Sequence, residues 1–416
     1  MQRRVVVTGL GAVTPIGNNV PDFWDGLING KNGVDLITRF DTSKFSTKFA
    51  AEVKNFDPGQ FIERKSLSRL DPFTQFAISA ADMALQDSKI DLSKITLERF
   101  GVLMGSGIGG IKALHDQFRQ YYLVTQEDPK KISPFFITML IADIAPGYIS
   151  IKYHLKGPNY ATTSACASGS HAIADAFMLI QRGNADIMFC GGTEAAISEM
   201  GIGGFSTMRA LSGWNDRYKE ASRPFDKDRN GFVMGEGAGV LILEELEHAL
   251  NRGANIYCEI AGVGLTGDGF HITAPDPNGY GAQRSMKEAV EDAKLALNDI
   301  DYINAHGTST PLNDVTESNA IKSVFGEHAY SMVVSSIKSM TGHLLGAAGG
   351  VEAIATVLTV QNDIIPPTIN YTTPDPECDL NYSPNVATKK VVNAAISNTF
   401  GFGGHNASIL FKKFKE

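Results

Sequence analysis

Residues 161–177 read ATTSACASGSHAIADAF, and they place Cys166 in a turn of small residues between a strand end and a helix. A cysteine at a helix start lies near unpaired backbone N–H groups, which favour the thiolate over the thiol. Because only the thiolate is a useful nucleophile, this stretch predicts a cysteine suited to acyl transfer. The alternative is that Cys166 is a small buried hydrophobic residue without a catalytic role. The residues predicted to lie near Cys166 decide between these two interpretations.

A second stretch of the same design lies at residues 333–356, where a strand leads into a turn carrying His343 and then into a Gly-rich helix. Three more pairs of segments correspond in the same order: 5–11 with 259–265, 100–105 with 301–306, and 237–243 with 404–410. Each similarity is weak, but the shared order predicts two copies of one mixed α/β unit. We expect the copies to be residues 1–255 and 256–416, packed about a pseudo-twofold axis so that Cys166 faces His343.

His306 is the other candidate partner of the cysteine. It follows the apolar run that ends at Ile303 and, like His343, enters a turn rich in Gly, Ser and Thr. Side chains at such strand ends project into a crevice at the edge of the sheet. A lone histidine in a loop is usually a surface residue. Two of them in matched turns, with Cys166 in a third, indicate an active site.

The composition is that of a globular protein with a large core, with 416 residues, 43% of them hydrophobic and 20% charged. We expect no membrane span and no signal peptide, because no apolar stretch reaches about 18 residues and the first strand is cut short by glycines. The four cysteines lack paired or metal-type spacing, which favours a reducing cytoplasm and predicts no metal site. A net charge of −8 argues against general nucleic-acid binding. Residues 105–110 lack the spacing and the lysine of a P-loop, so we expect no nucleotide and no other cofactor.

The two predicted halves differ in length. Residues 105–160 and 199–232 of the first half carry extra material between the repeated elements. Insertions of this kind usually shape a substrate pocket or a subunit interface. The alternative is that these insertions are surface segments without a function.

Over essentially its whole length the chain resembles the β-ketoacyl-acyl-carrier-protein synthases, and most closely their elongating type II enzymes. The resemblance rests on the Cys166 turn, on His306-Gly-Thr-Ser-Thr-Pro, on Lys338-Ser-x-x-Gly-His343 and on the glycine-rich turn at 401–406. It implies the thiolase fold, in which duplicated mixed α/β halves form five layers, α-β-α-β-α, in a homodimer. One departure is His405, where the family commonly has threonine, and we expect it to change only a peripheral hydrogen bond.

The resemblance also implies a reaction, the decarboxylative Claisen condensation of an acyl-carrier-protein thioester with malonyl-carrier protein in fatty-acid elongation. Cys166 takes the acyl chain, and the backbone N–H groups of Cys166 and Phe402 hold the oxyanion. His306 and His343 donate to the enolate left after loss of carbon dioxide. The pair of histidines separates this pattern from the initiating synthases, which use Cys-His-Asn. A polyketide-type ketosynthase, or a silent partner like a chain-length factor, are the alternatives, and the intact nucleophile argues against the second.

Further residues take roles from the same resemblance. Lys338 supports the two histidines, and Glu317, with Asp314 beside it, is predicted to pair with Lys338. Phe402 also acts as a gate to the acyl pocket. The predicted substrate-binding residues are Ile108, Phe205, Phe400, Thr308, Thr310, Thr273 and His271.

The implied partner, acyl carrier protein, is strongly acidic, so an acidic enzyme must offer it a local basic surface. The candidate docking residues are Lys65, Arg69, Lys130, Lys131 and Arg209. Ordinary solvated charges are the competing interpretation.

Overall fold

A ten-stranded mixed sheet forms the centre of the computed structural model, which describes residues 3–415. The strands of the first half are β1 (Val5–Val13), β2 (Phe100–Gly105), β3 (Asn159–Thr162), β4 (Ile187–Glu194) and β5 (Gly237–Glu245). Those of the second half are β6 (Cys258–Gly267), β7 (Tyr302–Asn304), β8 (Val333–Ser335), β9 (Ala394–Gly401) and β10 (His405–Lys412). Two pairs of short strands stand apart from this sheet, at 35–36 with 49–50 and at 364–365 with 388–389.

The strand order is the same in the two halves. From the outer edge inward it is β3-β2-β4-β5-β1 in the first half and β8-β7-β9-β10-β6 in the second. β2 is parallel to β3 and β4, and β7 is likewise parallel to β8 and β9. Each half therefore repeats one topology, and the sequence correspondences fall on equivalent strands. The division at residue 255 stays a prediction.

The helices are α1 (Val20–Ile28), α2 (Arg64–Leu67), α3 (Pro72–Ser88), α4 (Ile111–Leu123), α5 (Phe136–Leu140), α6 (Ile144–Tyr153), α7 (Ser168–Gln181), α8 (Glu199–Thr207), α9 (Leu246–Asn251), α10 (Tyr280–Asp292), α11 (Pro311–Phe325), α12 (Lys338–Thr341) and α13 (Ala348–Asn362). Their order explains the insertions, since α4, α5 and α6 lie between β2 and β3, whereas the second half has α11 alone between β7 and β8.

Three hydrophobic cores hold the layers together. The central core joins α7 and α13 to strands of both halves. An outer core packs α3 and α6 against the first half of the sheet, and another packs α10 and α11 against the second half. All nine residues of β1 are buried, as expected for a strand covered by helices on both faces. The result is the α-β-α-β-α arrangement.

The two sheet layers are connected to each other, in contrast to an arrangement of five separate layers. Val5–Val7 of β1 pairs antiparallel with residues 258–260 of β6, so the two sheet layers are parts of one continuous sheet. A comparison of the two halves identifies β1 and β6 as equivalent strands. It could not show that these two strands are hydrogen-bonded to each other.

Helix α13 lies in direct backbone contact with β5. A Cβ atom on Gly350 would lie 2.3 Å from the carbonyl oxygen of Gly239, a distance that no side chain tolerates. Glycine at both positions therefore lets the second-half helix cross the first-half strand closely. This contact brings the turn that precedes α13, with His343, against the first half. Within residues 3–415, no helix combines the length and apolar character that crossing a bilayer requires.

Candidate active site

A cavity of about 430 Å³ opens between the two halves of the chain. Many of the residues predicted from the sequence line it: Cys166, Phe205, Arg209, Thr273, His306, Thr308, Thr310, Glu317, His343, Phe400 and Phe402. Lys338 and Asp314 are buried behind the wall of the cavity, and Ile108 and His271 lie outside its lining.

Cys166 lies in the turn between β3 and α7, where Ala165 has a left-handed backbone with φ 51°. Its Sγ atom is 3.1 Å from Nε2 of His343. Burial raises the pKa of the Cys166 thiol to about 12, against the lowering effect of the Lys338 charge and of a hydrogen bond from the Phe402 backbone N–H. The expectation of a stabilised thiolate was therefore wrong for the resting site. Helix α7 begins two residues after the cysteine, at Ser168, and burial of the sulfur is the largest influence on its pKa.

The two histidines face each other in the cavity wall. The rings of His306 and His343 are 5.3 Å apart between centroids and nearly perpendicular, and each residue is only 3% exposed. Burial lowers the pKa of both imidazoles well below its usual value, and the Lys338 charge lowers it further. Both rings are therefore neutral, and each carries one N–H group.

The backbone of His343 is fixed by the first half of the chain. Its N–H donates to the carbonyl of Val233 at 2.7 Å, and its carbonyl accepts from the N–H of Gly235 at 2.8 Å. Nδ1 of His343 is buried and has no hydrogen-bond partner among the described residues. Nε2 of His343 faces Cys166 Sγ, where it accepts from the thiol in one tautomer and donates to the sulfur in the other.

Lys338 makes its ion pair with Glu352 of α13, and the predicted pairing with Glu317 was wrong. Glu317 accepts hydrogen bonds from the backbone N–H groups of His306 and Gly307, at 2.9 and 2.8 Å. These bonds occupy both of its oxygens. Burial raises the pKa of Glu352 to about 7, and the Lys338 charge opposes this rise. Glu352 is the one charged residue in α13, and that isolation in an apolar helix was a usable signal.

Asp314 and Glu317 hold the turn that carries His306. Burial raises the pKa of Glu317 to about 7, although the two backbone N–H groups favour its ionised form. Asp314 is fully buried, accepts from the backbone N–H of Phe225 at 2.8 Å and lies 3.7 Å from the Arg229 guanidinium. These carboxylates act on the position of His306 and do not themselves pair with Lys338.

Aromatic and hydroxyl side chains surround the reacting groups. The Phe402 ring lies 6.4 Å from that of Phe205, and the Phe400 ring lies 5.9 Å from that of His306. The hydroxyls of Thr308 and Thr310 bond to each other at 3.0 Å on the cavity wall. All five of these predicted residues line the cavity, and their roles in substrate binding stay predictions.

His271 and Ile108 contact the site indirectly. His271 is exposed, and its Nδ1 accepts from the backbone N–H groups of Thr273 and Ala274, both at 3.1 Å. It therefore shapes the loop that carries Thr273. Ile108 is 38% exposed, and its turn packs on the Cys166 turn, since a Cβ on Gly107 would lie 3.2 Å from the Ala165 carbonyl.

The glycine-rich turn before β10 contains a link that the sequence did not reveal. Asn406 donates to Asp268 at 2.7 Å, and both residues line the cavity. The neighbouring His405 is exposed and contacts the His171 ring edge-on at 6.4 Å. The expected effect of His405 on a peripheral hydrogen bond stays a prediction.

The candidate docking residues are exposed, and four of them come from the first-half segments near α2 and α4. Lys65 pairs with Glu63 at 2.8 Å, and the Arg69 guanidinium lies 4.7 Å from the centre of the Phe135 ring. This contact brings Arg69 beside the segment that contains Lys130 and Lys131. Arg209 stands apart from them, in the lining of the cavity.

Two family models match the chain. Beta-ketoacyl synthase, N-terminal domain, covers residues 2–249, and Beta-ketoacyl synthase, C-terminal domain, covers residues 257–372. The chain is 54% identical to the 3-oxoacyl-[acyl-carrier-protein] synthase 2 of Synechocystis sp., over 100% of this chain and 99% of the relative. It is 52% identical to the enzyme of the same name from Staphylococcus aureus (strain COL), over 99% of both chains.

Solved structures agree with this assignment. A β-ketoacyl synthase from Burkholderia phymatum superposes with a TM-score of 0.91 at 36% identity, over 99% of this chain and 100% of that one. A complex of a type II polyketide acyl-carrier protein with its ketosynthase, bound to a hexaketide, gives 0.92 at 36% identity over 100% of both chains. The predicted resemblance and the predicted thiolase-type fold are confirmed. The chain belongs to the beta-ketoacyl synthase family of acyltransferases.

Proposed function

We propose that the protein is an elongating condensing enzyme. It transfers the acyl chain from one carrier protein, by way of the enzyme, to the malonyl group on a second carrier protein. Carbon dioxide is lost, and the β-ketoacyl product leaves on the second carrier protein. The observation that carries this proposal is the convergence of Cys166, His306 and His343 in one buried cavity, with Sγ 3.1 Å from Nε2 of His343. The full-length relatives at 52–54% identity favour fatty-acid elongation over a polyketide pathway, whose ketosynthase matches at 36%. The intact nucleophile argues against a silent partner.

The first step transfers the acyl chain to Cys166. The sulfur attacks the thioester carbonyl, the bond between that carbonyl and the carrier sulfur breaks, and the thiol proton ends on the departing carrier thiol. The N–H of Phe402 donates to Sγ, and an N–H at Nε2 of His343 would stabilise the developing thiolate in the same way. Gly401 packs against the Cys166 turn, where an added Cβ would lie 3.2 Å from the Cys166 nitrogen. This approach brings the Phe402 and Cys166 N–H groups together for the oxyanion.

The second step removes carbon dioxide from the malonyl thioester. The electrons of the broken C–C bond move to the thioester oxygen, and the neutral imidazoles of His306 and His343 donate to it. Burial lowers the pKa of both imidazoles, and the positive charge of Lys338 behind them lowers it further. The carbanion then attacks the acyl-Cys166 carbonyl, and the bond from this carbonyl to sulfur breaks. The longer chain leaves on the carrier.

An apolar region next to Cys166 can hold the acyl chain. Cys166 belongs to a buried cluster with Ile202, Phe232 and Leu345, against which Phe205 is packed. We infer that the chain extends from Cys166 into this region and towards the Ile108 turn, with Phe402 as a movable cover. Thr308 and Thr310 offer hydroxyls to the amide groups of the phosphopantetheine arm on the open side of the cavity.

We also propose that the enzyme is a homodimer in the cytoplasm. Strand β3 is the outer edge of the first half, and unpaired edge strands invite pairing with another chain. Large apolar side chains are exposed on the neighbouring insertion and on β3: Phe118, Tyr122, Leu123, Val124, Ile132, Ile137, Ile141 and Tyr160. A twofold axis through β3 would bury this surface in both copies. The four free cysteines fit a reducing compartment. The absence of a metal, cofactor or nucleic acid stays a prediction.

Cys166→Ala should abolish condensation, while the melting temperature and the oligomeric state stay those of the parent. Cys166→Gln should keep malonyl decarboxylation, because its amide resembles an acylated cysteine and the histidines are untouched. Condensation is followed as β-ketoacyl product, and decarboxylation as released carbon dioxide. Turnover by Cys166→Ala would exclude the cysteine as nucleophile, and loss of carbon dioxide release in Cys166→Gln would give it a direct part in decarboxylation.

Lys338→Met should move the acid limb of decarboxylation to higher pH. Removal of the buried positive charge raises the pKa of His306 and His343, so both protonate at a higher pH and stop acting as neutral donors. We expect the acid limb to move to higher pH, measured as a rate profile in the Cys166→Gln background. Lys322→Met, which removes a more exposed pair with Asp379, is the matched control. An unmoved profile would show that the histidines do not work as neutral groups.

Lys65→Glu combined with Arg69→Glu should raise the KM for carrier-bound substrate, with little effect on small thioesters. The reversed charges slow association with an acidic partner, so added salt should narrow the difference from the parent. Lys94→Glu is the control, because Lys94 is equally exposed and pairs with Asp91 as Lys65 pairs with Glu63. If the kinetics with carrier-bound substrate are unchanged at low ionic strength, the carrier protein docks instead at Lys130, Lys131 and Arg209.

Ile108→Phe should shorten the acyl chains that load onto Cys166. The larger ring adds volume to a turn that packs directly on the Cys166 turn. Short chains should load as in the parent, and chains beyond about six to eight carbons should be rejected. Loading rates across a graded acyl series provide the measurement. Equal acceptance of long chains would show that the pocket runs elsewhere.

A further inference from the structure

Glu194 is a fully buried carboxylate at the end of β4, and the reaction described above does not use it. Its Oε1 accepts from the Ser106 hydroxyl at 3.0 Å and from the Ile108 N–H at 3.2 Å. Its Oε2 accepts from the N–H groups of Gly107 at 2.7 Å and Gly346 at 3.0 Å. Burial raises the pKa of Glu194, and these four donors oppose that rise.

These bonds join two turns that belong to different halves of the chain. One is the turn of Ile108, and the other follows His343 and contains Leu345, which lines the cavity. Added Cβ atoms on Gly107 and Gly346 would lie 2.9 and 2.6 Å from Oε2, so glycine at both positions lets the two backbones reach the same oxygen.

The two turns lie next to the nucleophile. The strand that leads into the Ile108 turn contacts the start of α7, since a Cβ on Gly105 would lie 2.2 Å from the carbonyl carbon of Ser168. Leu345 belongs to the apolar cluster that contains Cys166. Leu345 therefore borders an acyl chain on the sulfur, the Ile108 turn packs behind the Cys166 turn, and Glu194 joins the two turns.

We propose that Glu194 is the positioning residue that fixes the end of the acyl pocket. It holds the Ile108 turn and the Leu345 turn together next to Cys166, and it thereby sets the longest acyl chain that loads. This inference rests on the proposed function, because it takes acylation of Cys166 as given. An acyl chain that pushes the Ile108 turn aside must break charge-assisted hydrogen bonds in a dry interior, so the boundary is stiff.

Glu194→Gln should weaken this boundary by removing one hydrogen bond, the one that the Ile108 N–H donates. A glutamine amide keeps the size of the side chain but accepts hydrogen bonds only through its oxygen. The Ser106 hydroxyl can reverse and accept from the amide nitrogen, whereas the Ile108 N–H cannot. The favoured orientation therefore leaves Ile108 without its acceptor, while the oxygen keeps Gly107 and Gly346. The Ile108 turn is loosened selectively.

The experiment measures single-turnover loading of Cys166 by intact mass, with acyl carrier proteins bearing saturated chains of graded length. In Glu194→Gln the ratio of long-chain to short-chain loading rates should rise about tenfold over the parent, as expected for one lost hydrogen bond to a charged group. Asp71→Asn is the matched control. Asp71 is also buried and accepts from two backbone N–H groups, those of Phe73 and Ala113, but it bonds to neither turn.

The outcomes separate the two levels of the argument. If the parent does not acquire an acyl group on Cys166, the proposed function fails. If the parent loads and Glu194→Gln changes all chain lengths in equal proportion, or changes none, the positioning role is overturned. A similar change of ratio in Asp71→Asn would overturn it too, because loss of any buried carboxylate would then suffice. Should Glu194→Gln not fold, Ser106→Ala removes one donor to Oε1 and the acceptor of the Gly109 N–H, and it must move the ratio in the same direction.

Discussion

Backbone N–H groups bonded to buried carboxylates hold together turns that come from two different halves of the chain. Glu194 of the first half accepts from Gly346 of the second, and Asp226 of the first half accepts from Thr372 and Thr373 at 2.7 Å each. In the opposite direction, Asp314 accepts from Phe225. A carboxylate offers about four acceptor positions, so one side chain can join several strands of backbone. Cys166 and the two histidines can meet because these bonds cross the boundary between the halves.

The same burial sets the electrostatics of the site. Desolvation opposes every charge in it, so the pKa of Cys166 rises and the pKa of each histidine falls. Burial also raises the pKa of Glu352 to about 7, and the ion pair with Lys338 opposes this rise. The resting site therefore holds a neutral thiol, two neutral imidazoles and one fixed ion pair. Charge develops there only when substrate is bound, and hydrogen-bond donors already point at the places where it develops.

The sequence predicts what depends on local pattern. Cys166, His306 and His343 could be found because each follows a strand and lies in a turn of small residues, and equivalent turns meet when a unit is duplicated. The partner of Lys338 could not be found in this way. The position of Glu317 just after the His306 turn suggested that residue, but the fold brings Glu352 of α13 to the lysine, and Glu317 instead accepts from the backbone of the His306 turn. The raised pKa of Cys166 was missed for a related reason, since the burial of the sulfur depends on residues distant in sequence, such as Ile202, Phe232 and Leu345.

Exposure divides the residues of the single chain into two groups with different roles. The reacting residues and the carboxylates that hold them are buried within one chain, so the chemistry can be built by one subunit. Ile108 and the insertion that follows it are partly exposed, although they lie beside the acyl end of the site. In the dimer proposed above, the second copy would cover this exposed surface, outside the turns that Glu194 holds together. Chain-length preference can therefore change through substitutions at the subunit boundary while Cys166, His306 and His343 keep the geometry that the reaction requires.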